Sequence, residues 1–135
     1  MKLEDISLEE IYENFDLLDD WEQKYMYLIE LGQMIPEFNL KYKTPENLVE
    51  GCTSRVWLQK DESKSNNCFF ADSESQIVKG LVALTLIIFN GKTKEEIDSL
   101  NEESIFARVN LEANLSGNRA NGLRAIVKRI KQEAK

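Results

Sequence analysis

From Ile77 to Phe89 the chain is apolar at almost every position, interrupted only by Lys79, Gly80 and Thr85. A helix that is apolar around its whole circumference is stable only where every side is covered. The run is shorter than the about 20 residues a bilayer span requires, and it carries a lysine. It is therefore read as a buried helix at the centre of the domain, capped by Ser73 or Ser75 and stopped at Asn90-Gly91. The rest of the chain must supply its cover.

That cover is legible in outline. Ser7 with Glu10 has the spacing of a capping box and predicts a first helix over about Leu8 to Leu18. Asp20 can cap a second helix, in which Trp21, Tyr25, Leu28, Ile29, Gly32 and Ile35 recur on one face until Pro36 ends it. Thr44-Pro45-Glu46 reads as a short helical turn or loop start. Val56, Trp57 and Leu58 predict a strand over Arg55 to Gln59, and Cys68 to Ala71 a second one. Turn-forming residues from Asp61 to Asn67 join the two as a hairpin. Thr93 with Glu96 is a further capping box, for a short helix to about Leu100. Another short helix is expected over about Glu102 to Val109. Leu115 to Asn118 reads as a loop before a final amphipathic helix from Arg119 to Lys135, with Leu123, Ile126, Val127 and Ile130 inward. The expected class is α+β: a small antiparallel sheet packed against several α-helices.

At 135 residues the chain is expected to be one domain, 1–135, large enough to need no staple. A net charge of −7 argues against nucleic acid, whose affinity comes from lysines and arginines neutralising phosphates. Charge is uneven: Glu9, Glu10, Glu13, Asp16, Asp19, Asp20 and Glu22 crowd the first helices, and Arg119, Arg124, Lys128, Arg129, Lys131 and Lys135 the last. Both are read as solvated faces, with docking of an acidic partner or RNA the other reading of the basic terminal helix. Met1 to Asp5 opens no apolar signal region, and no run spans a membrane, so a cytoplasmic protein is expected. Its two cysteines are then expected as free thiols rather than a disulfide.

The chain contains no histidine. A Ser-His-Asp triad and a Cys-His pair are thereby excluded, as is a typical structural zinc or iron–sulfur site from two cysteines alone. No phosphate-cradling glycine motif is present. What remains is a nucleophilic thiol. Cys52 lies in Asn47-Leu48-Val49-Glu50-Gly51-Cys52-Thr53-Ser54-Arg55-Val56-Trp57, among small and polar residues at the mouth of a strand. A thiolate needs no separate base if a cation or helix N-terminus lowers its pKa, and Arg55 is three residues away. Gly51 permits a tight loop. Cys52 is thus open to two readings, reactive or packed, whereas Cys68 beside Phe69 and Phe70 reads as packing.

These segments together resemble the SufE family of cysteine-desulfuration proteins. The likeness is carried by Trp21 to Gly32 ending at Pro36, by Gly51 to Trp57, by Asp72-Ser73 leading into Ile77-Val78-Lys79-Gly80-Leu81, and by Leu115-Ser116 with Arg119, Asn121, Gly122 and Leu123. Where that family often has His-Leu-Ser/Thr-Pro, this chain has Asn114-Leu115-Ser116-Gly117. It also lacks the three ligand cysteines of the related IscU-type scaffolds. The resemblance implies a SufE/IscU-like fold and a carrier that takes sulfur on Cys52 from a pyridoxal-phosphate cysteine desulfurase of the SufS type. It implies delivery to an iron–sulfur scaffold of the SufBCD type, no cofactor or metal on this chain, and a monomer or weak homodimer. Gly51, Ser54, Arg55, Asp72, Lys79 and Arg119 match family positions and would position the loop or dock the partner; equally open are a helix cap for Asp72 and a surface or intramolecular ion pair for Lys79 and Arg119. Glu50 to Ser54 would have two positions, sheltered when free and extended at the partner. Two other classes stay open: a stand-alone thiol enzyme such as a peroxidase, against which stands Val49 where peroxiredoxins have threonine, and a non-catalytic interaction domain.

Overall fold

The fold is that of a computed structural model, which describes residues 2–135. The apolar run forms a helix, α3 (Gln76–Phe89), in which every residue is buried except Gln76, Lys79 and Ile87. Its cap is Ser75, whose hydroxyl accepts the Val78 N–H, rather than Ser73. Thr85, the buried polar residue within it, donates its hydroxyl to the Val82 carbonyl at 2.6 Å.

Ser7 caps α1 (Leu8–Leu17) and Asp20 caps α2 (Trp21–Gln33); cover for α3 comes first from α2. The α2 helix lies along α3. The approach is backbone to backbone: a Cβ on Gly32 would sit 2.8 Å from the Gly80 nitrogen, and one on Gly80 would enter the Leu28 carbonyl. Glycine is required there for space, and the close approach lets Leu28 and Leu31 bury fully against α3.

Among the described residues, one sheet is present, an antiparallel pair of β1 (Val56–Lys60) and β2 (Phe69–Ser73) with Val56 opposite Ser73 and Lys60 opposite Phe69. Both strands start one residue later than the sequence pattern suggests, which leaves Cys68 just outside β2, half-buried. In β1, Val56, Trp57 and Leu58 are all buried, although alternate side chains point to opposite faces. The second face is covered because Lys43 lies over the Trp57 ring, 4.7 Å from its centroid.

The remaining cover is helical: α4 (Lys94–Ser99), α5 (Glu102–Arg108) and α6 (Gly117–Glu133), which buries Leu123, Ile126, Val127 and Ile130. The Thr93–Glu96 capping box is complete in both directions. The α6 helix begins two residues before the predicted start, because Ser116 caps it by accepting the Arg119 N–H. Short 3-10 turns occupy Leu3–Asp5, Leu40–Tyr42, Pro45–Asn47 and Glu112–Asn114. No helix among the described residues is long and apolar enough to cross a membrane. The class is α+β, as expected.

Candidate functional site

The loop that carries Cys52 leaves the 3-10 turn at Pro45–Asn47 and returns into β1. Its base is closed by the Val49 N–H donating to the Val56 carbonyl at 2.9 Å and by a bridge between Leu48 and Trp57. Between these points the chain reverses at Gly51, whose φ of +94° is disfavoured for any residue with a side chain. A Cβ there would also press on Ala125 of α6 at 3.2 Å.

The bend lays Cys52 against α6. Its thiol donates to the Gly122 carbonyl with sulfur and oxygen 3.6 Å apart. The side chain is half-buried, and burial pushes the thiol pKa up. The sequence left open whether Arg55 faces the sulfur, and the family resemblance implied a loop sheltered when free; in the folded chain the sulfur is half-buried against α6. Arg55 provides no acidifying cation here, because its guanidinium turns outward to Glu74 at 3.5 Å.

The thiol faces a cavity of about 360 Å³ shared with Thr53, Ser54, Val78, Asn118 and Arg119. Two helices begin at its wall, α3 behind Ser75 and α6 behind Ser116. Helix N-termini carry partial positive charge, so this wall favours an anion over a neutral group. Arg119 adds a full charge and forms no ion pair with the described residues. The arrangement protects a neutral thiol on one side and offers a favourable surround to an anionic sulfur on the other.

Of the residues singled out in the sequence, Gly51, Ser54 and Arg119 gather round Cys52, while Arg55, Asp72 and Lys79 do not line its cavity. Asp72 instead bridges Lys43 at 3.0 Å and Lys79 at 3.3 Å, tying the segment before the loop to β2 and α3. Burial alone would raise its carboxyl, but the Lys43 hydrogen bond, the Ser73 backbone and the Lys79 charge together hold it below the ordinary range. Ser75, Val78 and Asn118 line the site without having been assigned to it; the capping role of Ser75 was the available signal. A larger groove of about 480 Å³ between α5 and α6 is bordered by the Lys131–Glu102 and Arg124–Glu112 ion pairs and contains no thiol. Among the described residues, no three or more Cys, Asp or Glu side chains are grouped to hold a metal ion.

An uncharacterised SufE-like protein of Rhizobium etli is 47% identical over 133 residues, covering 96% of this chain and 90% of that protein. A second, from Rhizobium meliloti, is 44% identical over 132 residues, covering 95% and 94%. The solution structure of a hypothetical protein from Thermus thermophilus has the same fold, with a TM-score of 0.73 at 18% identity, over 93% of this chain and 91% of that one. Residues 9–134 match SufE, the Fe-S metabolism associated domain, and the chain belongs to that family.

Proposed function

We propose that this protein is a sulfur carrier that accepts sulfur on Cys52 from a PLP-dependent cysteine desulfurase of the SufS type, stimulates that enzyme, and passes the sulfur to an iron–sulfur scaffold of the SufBCD type. The observation that carries the reading is the half-buried Cys52 thiol at a cavity where two helix N-termini and Arg119 meet. Family membership supports a role in Fe–S metabolism. We take the exchange to run in the cytoplasm, where thiols stay reduced.

In the transfer, Cys52 loses its proton and the thiolate attacks the outer sulfur of the desulfurase persulfide. A new S–S bond forms at Cys52 as the old one breaks. The desulfurase cysteine leaves as a thiolate, and the transferred sulfur keeps its oxidation state. The reaction follows thiol–disulfide exchange, with rate set by thiolate fraction, leaving group and access. The sheltered thiol offers neither a high thiolate fraction nor access, so the Glu50–Ser54 loop must extend at the partner. Extension returns the sulfur to solvent-like surroundings, removes the burial that raises its pKa, and increases the thiolate fraction. When the loop folds back, the persulfide anion is held by the positive wall of the cavity.

The test is desulfurase activity on L-cysteine with this protein added. Alanine or sulfide release should rise with the wild-type chain and fall to the desulfurase's own level with Cys52→Ser. Full stimulation by Cys52→Ser would overturn the carrier reading.

A further inference from the structure

The loop is held along a single stripe of α6. Gly122 takes the Cys52 thiol, Ala125 supports the bend at Gly51, and Arg129 reaches the stem. Spacings of three and four residues place all three on one helix face. The Arg129 guanidinium donates to the Leu48 carbonyl at 2.9 Å and to the Glu46 carbonyl, while its Nε donates to Glu133 at 3.0 Å. Only 18% of the Arg129 side chain is exposed, although it lies on the most basic helix of the chain. A planar fork with one arm on each of two carbonyls fixes the backbone that bears them, and the Glu133 carboxylate fixes the fork.

Further bonds hold the same stem. Asn47 donates to the Tyr42 carbonyl and to Gln59, both at 2.8 Å, and Val49 pairs with Val56. On the far side, the Arg55 carbonyl accepts from Ser73 at 2.9 Å and from the Glu74 N–H at 3.2 Å. Between these anchors, the thiol contact with Gly122 is the one hydrogen bond from residues 50–54 to the rest of the described chain. The loop is thus divided sharply into a clamped stem and a weakly held tip.

We propose that Arg129 is a positioning residue for sulfur transfer: it clamps the stem at Glu46 and Leu48, so that the tip swings about a fixed base and Cys52 returns to the same place on α6. This rests on the carrier reading for its purpose, but the clamp can be measured without any desulfurase. Loss of the clamp lets the stem lift and the tip leave Gly122 more often. Sulfur shelter is then lost while the core stays folded.

The experiment alkylates the full-length protein with iodoacetamide and follows Cys52 and Cys68 separately by peptide mass analysis, in wild type, Arg129→Gln and Arg129→Lys. Cys68 reports general loosening, since it lies at the other end of the hairpin. Arg129→Gln should raise the Cys52 to Cys68 rate ratio about tenfold, as expected for losing a charge-assisted hydrogen bond. Arg129→Lys, which keeps the charge without the fork, should fall between, and serves if the glutamine variant does not fold. Amide exchange should accelerate at residues 48–54 and stay unchanged in α3. An unchanged ratio in both variants, or Cys52 and Cys68 rising together, would overturn the clamp. A normal clamp in a protein that accepts no sulfur would instead overturn the carrier reading alone.

Discussion

The Cys52 sulfur lies 3.6 Å from the Gly122 carbonyl oxygen, seventy positions further along the chain. That contact makes the thiol a donor, and a donor must keep its proton. The group that the proposed chemistry needs as an anion is therefore stored as an acid.

One consequence is a displaced pH profile. Burial raises the Cys52 pKa in the folded chain. The rate of alkylation at Cys52 should accordingly reach its half-maximum at a higher pH in the native protein than in urea, where the ordinary thiol value of about 8.5 applies. A native midpoint below the unfolded one would show that the helix N-termini outweigh burial in the free protein.

Gly51 and Gly91 both have positive φ, +94° and +85°, but only at Gly51 would a Cβ meet a neighbour, the Ala125 Cβ at 3.2 Å. Alanine at Gly91 should cost about 1–2 kcal/mol from backbone strain alone. Gly51→Ala should cost at least as much and should also speed Cys52 alkylation, because the loop must lift from α6. Urea melts of the two variants, compared with the alkylation rates, separate strain from lifting.

Gly80→Ala drives a methyl group into the Leu28 carbonyl and should destabilise the protein by about 1–3 kcal/mol or more, as overpacking does. Gly117→Ala, at the first turn of α6 with nothing within 4 Å of its Cβ, should be neutral or stabilise by about 0.4–1 kcal/mol. Thermal melts give both values.

The Asp72 carboxyl, held below its ordinary pKa, stabilises the fold while ionised. That contribution is complete above the unfolded value of about 3.9 and is lost as pH falls through the lower folded value. Asp72→Asn should cost about 1 kcal/mol or less at pH 7, because the three side chains are partly solvated. Wild type and variant should converge in urea melts as the pH is lowered through the folded pKa.

The parts of the fold set by local chemistry could be read from the sequence. Ser7, Asp20 and the Thr93–Glu96 pair mark helix starts because their side chains satisfy N–H groups within a few residues. The Ile77–Phe89 run announced a buried helix by its composition. Cys52 stood out because the chain offers so few reactive groups. What could not be read was set by distant residues. The shelter over Cys52 comes from Gly122 and Ala125, and the outward turn of Arg55 from Glu74 across the hairpin. The burial of Trp57, on the second face of β1, is aided by Lys43 lying over its ring. The Arg129 clamp joins side chain to backbone carbonyls, which leaves no pattern in the residue types at Glu46 and Leu48.

The central claim is that Cys52 carries sulfur, and intact-mass spectrometry after mixing with a cysteine desulfurase and L-cysteine tests it most directly. The wild-type chain and Cys68→Ser should each gain the mass of one sulfur atom, reversed by a reductant, and Cys52→Ser should gain none. A mass gain that persists in Cys52→Ser, or that disappears in Cys68→Ser alone, would contradict the account.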